Sequence, residues 1–277
     1  MSLRFVRFGP SIGAEVGGVR IAQLESDDAS WLSEGLWRFR VLVFRDQVLS
    51  RSEFVRFARL WGPLEEHPTL PRAPDAPDVS LIASGPGERP SSGRWHFDAA
   101  WGRAPSAVML LRNANTPPVG GDTLFVDAVG AGRQLVRELG NAVLAAGVRY
   151  EPRGAVDGRA SGPPRSTPLF WRHPVTGEDA LLANTYLIRG FTGEVPARLS
   201  IRAVESAIEA PDLMCRVAWQ PNSLVVWDNR ATLHRLCYDF LPFIRRMERI
   251  SVAEVPDACD GSAPGSAACH LRGGPGS

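Results

Sequence analysis

The stretch GRWHFDAAW, residues 93–101, sets two polar residues among large apolar ones. Its period of two is that of a strand, where residues i and i+2 face the same side. His96 and Asp98 therefore project together, and Trp95 and Phe97 project to the opposite, apolar side. An imidazole and a carboxylate on one face are two-thirds of the 2-His-1-carboxylate triad that holds non-haem Fe(II) with open positions. The plain alternative is a hydrogen-bonded His–Asp pair in a core, because so short a motif also arises by chance.

Working outward, the chain reads as many short strands with turn signals between them. FVRFGPSIGAEVGGVRI (5–21) alternates and is punctuated by glycine. VLVFRD (41–46), SAVMLLRNAN (106–115), DTLFVDA (122–128), DALLAN (179–184), RVAWQ (216–220), SLVVWDN (223–229) and RRMERISVAEV (245–255) are further strands. Helical spacing recurs in DDASWLSEGLWRFR (27–40, N-cap Asp27 or Asp28), SRSEFVRFARLWG (50–62, from Ser50 or Ser52 to Gly62) and RQLVRELGNAVLAAG (133–147). Stretches 66–93 and 151–168, rich in Pro and Gly, are expected to be loops that wall a site. The pattern predicts a mainly β sandwich or jelly roll with flanking helices, one domain over 1–256, and a disordered low-complexity tail over 257–277. The βαβ alternation of a doubly wound sheet is absent.

Composition narrows the function. The net charge of +1 offers no field for nucleic acid or anionic lipid, and no apolar run is long enough to span a bilayer. There is no lysine among the 31 basic residues, which removes Schiff-base and pyridoxal-phosphate chemistry. The four cysteines (Cys215, Cys237, Cys259, Cys269) form no C-x-x-C pair, so zinc clusters and disulfide frameworks are not expected. A reducing cytoplasm fits that usage, and the N-terminus shows no export signal.

A triad needs a second, distant histidine. His270 lies in the tail, and His173 (RHPVTG) precedes a proline and a turn, which suits a structural role. His67 sits in the loop EEHPTL; His234 follows the strong strand in VVWDNRATLHR, which would end by presenting it at a site mouth. Beyond it, Arg245 and Arg249 share one strand face and call for anions, since an unpaired buried guanidinium is costly. The alternative there is a solvated edge strand in which Arg246 and Glu248 pair with neighbours. GGDT (120–123) places the Thr123 hydroxyl at a strand start.

Taken together, residues 4–255 resemble the TauD/TfdA family, the Fe(II)- and 2-oxoglutarate-dependent dioxygenases of the taurine dioxygenase type. GPSIGAEVGGV, VLVFRDQ, WHFD, GGDT, HPVTG followed by Asn184, and WDNR-x-x-x-H with its later arginines occur in family order. The resemblance implies a double-stranded β-helix. It implies that His96, Asp98 and His234 ligate iron and form the catalytic centre, and that Arg245 with Thr123 binds the far carboxylate of 2-oxoglutarate. Dioxygen would take the remaining position, with succinate and carbon dioxide released as a substrate C–H bond is oxidised. His67 and Arg249 match positions that hold the sulfonate in taurine dioxygenase. Leu70 and Ser92 stand where that enzyme has polar groups near the amine, Leu187 roughly where it has an aromatic, and the segment around 151–168 is shorter.

These departures point away from taurine. The reading is hydroxylation, or a related two-electron oxidation, of a small acid-bearing molecule with a more apolar body, such as a tailoring step in making an antibiotic or other specialised metabolite. The alternatives are a taurine or alkylsulfonate dioxygenase for sulfur scavenging, and a jelly-roll binding protein without catalysis. The expected partner is a small molecule, with neither nucleic acid nor membrane; a homo-oligomer, dimer or tetramer, is the expected assembly.

Overall fold

The computed structural model describes residues 4–24, 28–87, 93–98, 105–150 and 165–253. Its frame is a nine-stranded sheet in the order Arg4–Arg7, Ala14–Gly17, Val41–Phe44, Leu224–Asp228, Val108–Asn115, Arg245–Val252, Ala76–Ser84 and Arg72–Ala73, with Leu64–Glu65 also pairing Arg245–Val252. A smaller sheet, Met214–Val217, Thr123–Asp127 and Thr232–Leu236, supplies part of the opposing layer. Together they make the expected jelly roll.

Both faces of the large sheet are covered, which is why its strands read as continuous apolar runs. In Val41–Phe44, Leu42 and Phe44 face one cluster, while Val41 and Val43 face another. The first cluster is roofed by helices Asp28–Phe39 and Arg51–Ala58 through Leu32, Leu36, Phe54 and Phe57. The second lies between the sheets, where Met109, Val225, Trp227 and Met247 meet Phe125, Cys215 and Val217. A third cluster packs helices Ala128–Leu139 and Ile201–Ile208 against Trp95, Phe97, Val126 and Leu233.

Several boundaries differ from expectation. Ser50, not Ser52, caps its helix, in a capping box with Glu53. The helix expected at 133–147 starts earlier, at Ala128, with Asp127 capping two backbone amides. It stops before Gly140, whose φ of 84° breaks it, and 3-10 turns continue over Asn141–Ala145. The region 66–93 is not a loop throughout, because it contains the nine-residue strand Ala76–Ser84. Of the second expected loop, Arg165–Pro168 is a strand, and residues 151–164 lie outside the described residues, as do Asp27 and the tail 257–277. No described helix is long and apolar enough to cross a membrane.

Candidate active site

The metal-type side chains meet between the two sheets, with His234 on the small sheet and Asp98 held by Arg249 of the large one. His234 is not at the end of the Leu224–Asp228 strand, as the sequence suggested. It lies in the middle of a separate strand, Thr232–Leu236, which has crossed to the small sheet and pairs His234 with Phe125. Gly93–Asp98 is likewise not a strand; its one ladder contact is an isolated bridge to His234. His96 N–H donates to His234 O at 3.0 Å, and His234 N–H donates back to His96 O at 2.8 Å. The alternating sidedness holds all the same. Trp95 and Phe97 enter the apolar core, while one ligand-type atom each from His96, Asp98 and His234 lies within 4.8 Å of the others.

Hydrogen bonds settle which ring atom is free. His96 Nδ1 is 2.7 Å from Arg94 O, a carbonyl that can only accept, so Nδ1 carries the proton and Nε2 keeps its lone pair. The His234 ring packs against His96 (centroids 4.2 Å), Trp227 (5.0 Å) and Phe125 (5.8 Å). Burial, the largest cause, with Arg249 pushes its pKa down to about 3 against the pull of Asp98, leaving a neutral imidazole at physiological pH. Burial alone would raise the Asp98 carboxyl, but Arg249 and then the neighbouring histidines bring it down to about 2. Asp98 Oδ1 accepts from Arg249 Nη1 at 2.9 Å. Asp98 Oδ2 is buried 3.5 Å from His234 Nε2 with no hydrogen-bond partner among the described residues. An orphaned carboxylate oxygen between two imidazole nitrogens is costly as it stands and suits a divalent cation. The donor set therefore fits Fe(II).

Beside this group, His67 Nδ1 accepts from the backbone N–H groups of Leu70 (3.0 Å) and Thr69 (3.3 Å), which puts the ring proton on Nε2. Burial, then Arg249, pushes its pKa down to about 4, with Asp98 opposing. Arg249 Nε is buried without an acceptor among the described residues. Two N–H groups, His67 Nε2–H and Arg249 Nε–H, thus lie close to the triad, while Arg249 Nη1 is taken by Asp98.

Arg245 lies on the same inward face of its strand as Met247 and Arg249. That strand is interior, paired with both Ala76–Ser84 and Val108–Asn115, so the edge-strand alternative does not hold. Glu248 faces the other way and is held by Arg51 (2.7 Å) and Arg112 (2.7 Å), while Arg246 is exposed. Arg245 Nε donates to Gly121 O at 3.0 Å, and its guanidinium sits 5.6 Å over the Trp219 ring. Trp219 Nε1 donates to Thr123 Oγ1 at 3.1 Å, so one indole joins Thr123 to Arg245. No carboxylate among the described residues pairs with Arg245. Burial lowers its pKa to about 10, so it remains a cation at neutral pH.

Leu70 is half-buried next to His67, Leu187 is buried in the core cluster of Trp95 and Phe97, and Ser92 and His270 lie outside the described residues. His173 is structural, as expected: its Nε2 is 2.6 Å from Asp228 Oδ2, and its Nδ1 accepts from the Val175 and Thr176 amides. Trp219 escaped the sequence reading because an indole in the expected strand RVAWQ looks like ordinary core; the strand in fact ends at Val217.

Comparison with known proteins agrees with this architecture. The family described as "Taurine catabolism dioxygenase TauD, TfdA family" matches residues 5–251. An alkylsulfatase of Acinetobacter baylyi is 28% identical over 263 residues, spanning 87% of this chain and 82% of that protein. An (S)-phenoxypropionate/alpha-ketoglutarate-dioxygenase of Sphingobium herbicidovorans is 31% identical over 252 residues, spanning 81% and 86%. The crystal structure of a taurine dioxygenase from Burkholderia xenovorans superposes with a TM-score of 0.78 at 25% identity, over 92% of each chain. The chain belongs to the TauD, TfdA family and is an Fe(II)- and 2-oxoglutarate-dependent dioxygenase.

Proposed function

We propose that His96, Asp98 and His234 hold the iron, that Arg245 and Thr123 hold the far carboxylate of 2-oxoglutarate, and that the substrate is a small acid on an apolar body. The orphaned Asp98 carboxylate oxygen, in a group whose ligand-type atoms with His96 and His234 lie within 4.8 Å of one another, carries the metal assignment. When bound, iron would activate dioxygen with 2-oxoglutarate as co-reductant, one oxygen atom ending in succinate as carbon dioxide is released and the other serving to oxidise a substrate C–H bond. The protein's own part is placement. Arg245 spends Nε on Gly121 and keeps two terminal nitrogens for a carboxylate, while the Trp219 face sets its plane. His67 Nε2–H and Arg249 Nε are oriented donors for an acid group. Leu70, whose N–H donates to His67, would offer an apolar contact to the substrate body; the substrate roles expected of Leu187 and Ser92 remain part of the same proposal. Trp227 and Phe125 pack on His234 and keep water from that side of the centre.

The relatives support this substrate class, because their names pair an acid or sulfate ester with an alkyl or aryl body. Residues 1–256 act as one catalytic unit, supported by a sheet that uses strands from Arg4 to Val252. A cytoplasmic enzyme without nucleic-acid or membrane partners agrees with a net charge of +1. The test is substrate-dependent oxygen uptake and succinate formation across aryloxy- and alkyl-carboxylates, alkyl sulfate esters and short sulfonates. Coupled turnover should favour an acid on an apolar body, with no sulfite released from taurine. The second reading, a taurine or alkylsulfonate dioxygenase, rests on the superposition with the Burkholderia enzyme. Taurine as best substrate, with stoichiometric sulfite, would establish it and overturn the first.

A further inference from the structure

Beyond the His96 bridge the ladder stops, yet the next two residues are not left without partners. Phe97 N–H donates to Asn184 Oδ1 at 2.9 Å, and Asn184 Nδ2 donates to Phe97 O at 3.4 Å. Asp98 N–H donates to Asn229 Oδ1 at 2.9 Å, and Asn229 Nδ2 donates to Asp98 O and to Ser106 O, both at 3.0 Å. A carboxamide carries an acceptor and a donor side by side, as a peptide group does. Each asparagine thus replaces one residue of a neighbouring strand. The pattern also fixes both amide orientations, since the oxygen must meet the N–H and the nitrogen the carbonyl.

The two asparagines are themselves anchored and buried. Asn184 follows the Asp179–Leu181 strand and donates its own N–H to Tyr150 Oη at 3.2 Å. Asn229 follows Leu224–Asp228 in the large sheet and donates its N–H to Ala107 O at 3.1 Å. The Asp98 side chain has only two rotatable bonds, so the place of Oδ2 follows from its backbone. Arg249 meanwhile draws on Oδ1.

We propose that Asn184 and Asn229 are positioning residues for the metal: together they clip the backbone of Phe97 and Asp98 and thereby aim Oδ2 at the space shared with His96 and His234. This rests on the ligand assignment above.

The experiment uses Asn184→Asp and Asn229→Asp in the full chain. Each keeps the shape and the acceptor but turns the donor into an oxygen facing a carbonyl. Mn(II) affinity is read from the EPR signal of free Mn(II), without 2-oxoglutarate or substrate, beside thermal unfolding and amide hydrogen exchange. Wild type should bind Mn(II) at one site that Asp98→Ala abolishes. The asparagine variants should stay folded, bind Mn(II) about 10–100-fold more weakly, and exchange faster at the Phe97 and Asp98 amides than elsewhere. Wild-type Mn(II) affinity in a folded variant would overturn the proposal. So would unprotected Phe97 and Asp98 amides in the wild-type protein, a measurement that decides even if a variant fails to fold. Absence of the single site in wild type, or its survival in Asp98→Ala, would instead overturn the ligand assignment, and the clip with it.

Discussion

Replacing Arg245 by methionine should separate its two consequences, one on stability and one on cosubstrate binding. Arg245 is 5% exposed, donates Nε to Gly121 O, and faces no carboxylate among the described residues. Without 2-oxoglutarate, an apolar side chain of similar length therefore costs little, because the guanidinium it removes is buried without a counter-charge. With 2-oxoglutarate, the two terminal nitrogens supply charge-assisted hydrogen bonds of ~1.5–3 kcal/mol each, which do not add fully. A loss of about 2–4 kcal/mol corresponds to a dissociation constant raised roughly 30–700-fold. At a concentration 100 times the wild-type constant, the cosubstrate stabilises wild type by ~2.7 kcal/mol and the variant by less than ~1 kcal/mol. Thermal unfolding in Mn(II), with and without 2-oxoglutarate, reads both effects in one experiment. The reasoning is refuted if Arg245→Met keeps 2-oxoglutarate affinity within a few-fold of wild type, or if Arg249→Met is the variant that loses it.

Gly121→Ala tests the turn behind that arginine. Gly121 has φ of 75°, and a methyl there would lie 3.2 Å from Arg245 Cδ, so the 2-oxoglutarate KM should rise several-fold while Mn(II) affinity stays unchanged. Asp98→Ala should abolish turnover and metal binding; surviving activity would dismiss the triad. His173→Ala removes the donor to buried Asp228 and should cost roughly 2–3 kcal/mol, seen as a thermal midpoint lowered by about 5–10 °C. Burial alone would raise the Asp228 carboxyl, but the His173 hydrogen bond and Arg230 hold it below its ordinary value. Its contribution is then complete above the unfolded carboxylate pKa of ~3.9 and is lost as pH falls through the lower folded value. Denaturant titrations at falling pH should show that acid-side loss reduced in His173→Ala.

Much of this was legible because the decisive residues sit in short, strongly patterned stretches. WHFD showed its two sides, and the Arg245–Met247–Arg249 face followed from strand alternation alone. What escaped was set by tertiary contacts. Ala76–Ser84 hid behind prolines and small residues, since its buried positions include Ala76, Ser80 and Ser84, not a run of large apolar side chains. Helix Ile201–Ile208 spans just over two turns, and its Ser200 cap gave too little pattern to separate it from the surrounding loop. The crossing of WDNRATLH from the large sheet to the small one placed His234 mid-strand, because Asn229 and Arg230 turn the chain between the two pairings. The roles of Trp219, Asn184 and Asn229 depend on partners between 87 and 131 residues away in the chain, which no local window contains.

The most direct test of the whole account is anaerobic titration of the metal-free enzyme with Fe(II) and 2-oxoglutarate, followed by visible absorption. One equivalent of each should produce the weak charge-transfer band of a chelated complex in wild type, and none in Asp98→Ala. A folded wild-type protein that gives no band with both present would contradict the assignment of His96, Asp98 and His234 as the iron site.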